Sequence, residues 1–138
     1  MIKSVPFTLV PLILVNLIAV LFPAVTTAGW ANPLFSIGMF SGASWGLSAG
    51  DLMVIVALGF LFAELMRSAV ASTGAMVNHL ASVLVLLVYV VEFIAFRLAA
   101  NSTFFILTVM ALVDVLAGFT ITAKAAGRDV TWHQDNQP

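Results

Sequence analysis

Residues Asp51 to Val70 read DLMVIVALGFLFAELMRSAV. The run is long and apolar enough to cross a bilayer, yet it carries an acid and a base, Glu64 and Arg67, in its second half. On the 3.6-residue helical period Met53, Ala57, Phe60, Glu64, Arg67 and Ala71 share one narrow face. Leu52, Ile55, Leu58, Phe62 and Leu65 lie roughly opposite. One side suits lipid, and the other suits a protein interior that contains charge, where ionisable groups of membrane helices reside. The rest of the chain must supply the helices that surround this face.

Composition agrees. Of 138 residues 62% are hydrophobic and 8% charged, against about 25% charged in soluble domains. The class is integral membrane protein. A span takes about 20 residues, so four spans and short connections use up the length. The absence of cysteine excludes disulfides, thiolate metal sites and thiol catalysis. A net charge of −1 with no basic patch argues against nucleic acid as a partner.

The apolar runs predict an all-α, integral membrane four-helix transmembrane bundle with spans over about 5–25, 51–71, 76–99 and 103–123. They are too long for strands and lack the period-two alternation of a barrel. A signal peptide competes for the first run, with Lys3 as its n-region and Thr26-Thr27-Ala28 as a cleavage site. The length of the run favours a retained span, and Pro6 and Pro11 lie near its start, where a missing N–H costs least. Residues 26–50 carry no charge. Asn32-Pro33 there signals a helix start, which predicts a short interfacial helix over Leu34–Phe40 with Trp30 and Trp45 as interfacial anchors. A re-entrant loop is the alternative.

Ser48 and Asp51 have capping-box spacing, Ser72-Thr73-Gly74 suits a tight turn, and Asn101-Ser102-Thr103 supplies caps for the fourth span. Lys3, Arg67, Lys124 and Arg128 fall towards one side and Arg97 towards the other. This bias predicts an N-in/C-in topology with 26–50 outside and a polar cytoplasmic tail over 124–138.

Counting helical rise from the span ends puts Asn16, Glu64 and Asp114 within roughly 5 Å of one another in depth, with Arg67 one turn nearer the cytoplasm. These four form the expected intramembrane polar layer. Asp114 shares its stripe with the small residues Ala111, Ala117, Gly118 and Ala125. Glu92, on a stripe with Asn78, Ala81, Ala95 and Ala99, lies farther out and is expected to meet Arg97 or Asn101. Gly59 and Ala63 make a small-xxx-small pair on another flank. Glu64 and Arg67 read first as a structural ion pair, and second as part of a proton or cation site in which Glu64 and Asp114 share a proton.

His79 reads as an interfacial polar residue and His133 as a solvated one. No metal ligand set, nucleotide-binding motif or Ser–His pair stands out, so no cofactor is expected. In length, span number and possession of a membrane carboxylate, the chain resembles the small multidrug resistance transporters. Their substrate-binding glutamate belongs to the first helix, where this sequence offers only Asn16, so none of that family's residues carries over.

The leading expectation is a small non-enzymatic inner-membrane protein, homo-oligomeric or an accessory subunit of a larger membrane complex. Its partners would be the lipid bilayer and either its own copies or another membrane protein. The alternative is a small proton- or cation-coupled transporter or channel using Glu64 and Asp114. An enzyme would need Glu64, His79 and Asp114 to converge on a metal.

Overall fold

The computed structural model describes the backbone of residues 5–70 and 75–134, and their side chains except at 27–28, 69–70, 75–76, 122 and 124–134. The elements are α1 (Leu9–Leu21), α2 (Pro23–Ala28), β1 (Pro33–Gly38), β2 (Ser44–Ser48), α3 (Ala49–Val70), α4 (Ala75–Ala95) and α5 (Ser102–Gln134). The chain is mostly helical. Three stretches, Ala49–Ser68, Val77–Ala95 and Ser102–Ile121, are long and apolar enough to cross a membrane. Lys3 and the Ser72-Thr73-Gly74 turn lie outside the described residues, as do the side chains of Lys124, Arg128 and His133.

The first apolar run departs from the single span expected over 5–25. Its helix α1 has 13 residues, which reach about 20 Å against a hydrocarbon thickness of about 30 Å. It stops at Phe22 (φ −124°, ψ 66°), immediately before Pro23. The proline ring disfavours helical geometry in the residue before it and removes the N–H that would continue the ladder. At the other end, residues Val5–Thr8 run into α1 without being part of it.

The expected interfacial helix over Leu34–Phe40 is a β-hairpin instead, so the fold is not purely helical. Phe35 pairs with Leu47, Ser36 with Gly46, Ile37 with Trp45 and Gly38 with Ser44. Alternation of Phe35, Ile37 and Met39 with Ser36 and Gly38 is a strand pattern, and it overrides the Asn-Pro start signal. The turn closes through Met39 N–H to the Ala43 carbonyl (2.8 Å) and Gly42 N–H to the Met39 carbonyl (3.0 Å). Gly42 has φ +82°, a left-handed conformation that glycine adopts without strain.

β2 passes directly into α3 through the capping box. The Ser48 N–H and hydroxyl donate to Asp51 Oδ2 (2.9 and 2.6 Å), and the Asp51 N–H donates to Ser48 Oγ (3.1 Å). α5 starts on Asn101, whose Oδ1 accepts the Phe104 N–H at 2.9 Å. Its 33 residues extend about 50 Å, so the backbone of the expected polar tail is helical as far as Gln134. α4 ends at Ala95, earlier than residue 99, and Phe96–Asn101 makes the turn to α5.

α5 packs along both α3 and α4, and α1 lies mainly on α3. The core joins Leu12 and Val15 of α1, Met53 and Ala57 of α3, Val85 and Tyr89 of α4, and Phe104, Leu107 and Ala111 of α5. Leu52, Ile55, Leu58 and Phe62 are exposed on the outer side of α3, as its helical stripe predicts. On α4 the inward stripe is Ser82, Val85 and Tyr89, while Ala95 is exposed. The face assigned there from small residues is therefore rotated. Bulky Val85 and Tyr89 fill the space between helices, while of the expected stripe Asn78 reaches Glu64 and Ala99 is buried just beyond the helix.

Candidate functional site

The buried polar groups gather where Val5–Thr8 crosses α3, α4 and α5. Glu64 has no exposed surface. Its Oε2 accepts the Phe7 N–H (2.8 Å) and its Oε1 accepts Asn78 Nδ2 (2.6 Å). Arg67 Nη2 lies 2.8 Å from Oε1 and 2.7 Å from Oε2. The same Nη2 is 2.9 Å from the Val5 carbonyl and 2.6 Å from Asn78 Oδ1. One nitrogen with two hydrogens thus serves four oxygens. The guanidinium also lies over the Phe7 ring, 4.2 Å from its centroid, a favourable cation–π position.

Asp114, 3% exposed, has hydroxyl partners. Thr8 Oγ1 donates to its Oδ2 at 3.2 Å, and Ser82 is the second partner. Among the described residues the only ion pair is Glu64–Arg67. The Thr8 carbonyl accepts the Tyr89 hydroxyl at 3.3 Å, and the Tyr89 ring rests 5.6 Å from that of Phe104.

The site follows from how α1 begins. The first N–H groups of a helix have no intrahelical partners, and the Phe7 N–H, just before α1, is accepted by the Glu64 carboxylate of α3. Three of the four residues Val5–Thr8 are held in this way: Val5 by Arg67, Phe7 by Glu64, and Thr8 by both Asp114 and Tyr89. The arrangement is a clasp that fastens the N-terminal segment into the helical bundle. Beside it a void of about 10 Å³ is lined by Thr8, Pro11, Ala57, Leu61, Tyr89, Leu107, Met110 and Ala111, close to the minimum for one water.

The structure brings together Glu64, Arg67 and Asp114 but not Asn16. Asn16 Nδ2 bonds the Leu12 carbonyl (3.0 Å) and Glu92 Oε2 (2.8 Å) on the α1–α4 side. Depth counting assumed that the first helix starts at the membrane edge. Its start, Phe7-Thr8, is instead at the clasp, so Asn16 lies two turns beyond. Glu92 consequently meets Asn16. Arg97 is exposed and forms no ion pair among the described residues, and Asn101 is engaged in capping α5. Trp30, expected at the interface, is 6% exposed, and its carbonyl accepts the Gly50 N–H at 2.9 Å. Trp45 is 47% exposed on β2 and meets Phe35 edge-on.

Sequence reasoning missed Phe7, Thr8, Asn78, Ser82 and Tyr89. The available signal was Thr8, which could cap α1 and stands two residues after a proline. His79 lies along Gly118 and Phe119, and its Nδ1 is buried without a hydrogen-bond partner. Among the described residues no three acidic or histidine side chains are grouped to hold a metal.

Removing the Tyr89 hydroxyl tests one strand of the clasp. Tyr89→Phe is expected to lower stability by about 1 kcal/mol while leaving the helical circular dichroism unchanged. An unchanged unfolding midpoint would mean that the 3.3 Å bond contributes nothing.

Compared with family models, with curated proteins and with solved structures, the chain matches none.

Proposed function

We propose that this chain is a small non-enzymatic inner-membrane protein that acts by association, with copies of itself or as an accessory subunit of a larger membrane complex. The observation that supports this reading is the saturation of Glu64. Both carboxylate oxygens are occupied by donors from the chain's own α3, α4 and N-terminal segment. A cation or proton taken up at Glu64 would have to displace one of these donors. In this reading residues 5–25 form a fourth, broken span, both termini are cytoplasmic, and 26–50 lies outside.

A second observation bears on association. Asn16 is exposed and Glu92 is partly so, with Ile13 and Leu17 open beside the first and Val88 open one turn from the second. A carboxylate and a carboxamide on a lipid-facing surface are costly, and another helix laid over them removes that cost. Extraction in mild detergent followed by native mass spectrometry tests the reading. The expected result is a homo-oligomer or a stable heteromer, dissociated by Glu92→Leu together with Asn16→Leu. A lone monomer in mild detergent and in nanodiscs would overturn it.

The transporter reading draws on Asp114, which is buried against hydroxyls with no cation at ion-pair distance among the described residues. Proteoliposomes distinguish the two. Association predicts no pH-driven flux in the wild type, whereas a carrier shows flux that Asp114→Asn abolishes.

A further inference from the structure

We infer that the β1–β2 hairpin is a lipid-surface anchor, lying in the headgroup zone of the bilayer that α3 crosses. Residues paired across an antiparallel ladder project to the same side. The pairs Phe35–Leu47 and Ile37–Trp45 therefore share one face, and Ser36–Gly46 and Gly38–Ser44 share the other. The edge-on contact of Phe35 with Trp45, ring centroids 6.4 Å apart, lies on the first face. Phe35, Ile37, Met39 and Trp45 are each about half exposed, and Phe40 at the tip is fully exposed. From Phe35 to Leu47 the hairpin is thus apolar on one side and small or polar on the other, while Leu34, 59% exposed, lies at the irregularity between Pro33 and Phe35.

Three environments compete for such an element. Water is disfavoured by the unbroken apolar face. The hydrocarbon core is disfavoured because the outer edges of a two-stranded hairpin carry backbone N–H and C=O groups without partners, each costing several kcal/mol there. The interfacial zone satisfies both sides, with acyl chains for the apolar face and water or headgroups for the edges. Trp and aromatic residues concentrate at that depth.

Position and chemistry commit the occupant to lipid. β2 enters α3 with no intervening residue, so the hairpin stands where that helix leaves the hydrocarbon. Residues 4–50 contain no charged side chain and no histidine, so binding rests on apolar area rather than on anionic headgroups. This inference does not depend on whether the protein associates or transports.

The chain has no cysteine, so single spin labels report on single sites. Ser36→Cys, Ile37→Cys, Ser44→Cys and Trp45→Cys all fall at exposed positions. Each labelled chain is reconstituted in zwitterionic phosphatidylcholine vesicles, and collision with oxygen and with a water-soluble nickel chelate is measured by power saturation. The expected result is alternation. Labels at 37 and 45 meet oxygen severalfold more than nickel, labels at 36 and 44 the reverse, with no change on adding salt. Equal nickel access at all four sites would place the hairpin in water and overturn the inference. Labels at 37 and 45 shielded from both reagents and broadened by a second spin would overturn it in favour of a second copy.

Discussion

Arg67→Met is expected to lower the unfolding free energy by about 3–5 kcal/mol, the range seen when one partner of a buried ion pair is removed. Glu64 has no solvent contact, and without Arg67 its carboxylate keeps only Phe7 N–H and Asn78 Nδ2. The Val5 carbonyl and Asn78 Oδ1 lose their donor as well, so the N-terminal segment should loosen from α3. Unfolding by sodium dodecyl sulfate in mixed micelles, followed by circular dichroism, measures the loss. Limited proteolysis near residue 5 should become faster in the same variant. A midpoint equal to that of the wild type would show that the pair is incidental to the fold.

Gly50→Leu should have the next largest effect. A Cβ at residue 50 would stand 2.9 Å from the Trp30 carbonyl oxygen and press on the Thr103 hydroxyl. The first neighbour is backbone and cannot rotate away, and it accepts the Gly50 N–H. Here α3, α5 and the segment before the hairpin meet, and overfilling such a contact costs about 1–3 kcal/mol. Gly59 makes the matching control, since a Cβ there meets nothing within 4 Å. Gly59→Ala should raise stability by about 0.5–1 kcal/mol through helix propensity alone. If Gly59→Ala instead lowers stability and shifts the oligomeric mass, the Gly59 and Ala63 flank is a helix contact.

The three long helices were legible because period and length act together. Asp51–Val70 declares both its lipid face and its charged face, and the Ser48–Asp51 capping box marks its start within two residues. Glu64 with Arg67 was legible for a local reason, since three residues on a helix put them side by side. Asp114 could be placed at a similar depth from rise alone.

The failures arose where the answer depended on other parts of the chain. Asn32-Pro33 is a real start signal locally, yet strand alternation over Phe35–Met39 and the left-handed Gly42 form a hairpin that no single-residue rule weighs. The first helix was given the wrong origin because the whole apolar run over 5–25 was read as one span, with Pro6 tolerated near its start. Pro6 and Pro23 set its limits, and this shift of origin moved Asn16 from the clasp to Glu92. Ser82, Asn78 and Thr8 are ordinary polar residues in sequence. They become part of the site only because Glu64 and Asp114 are already buried and need donors.

The central claim is that Glu64 and Arg67 act as one unit holding Val5–Thr8 in the bundle. A double-mutant cycle between Glu64→Leu and Arg67→Met, read by unfolding in mixed micelles, tests it most directly. The expected outcome is strong coupling, at least about 2 kcal/mol, with the double variant more stable than either single one because no lone charge stays buried. Additive losses, with the double variant the least stable of the three, would contradict it.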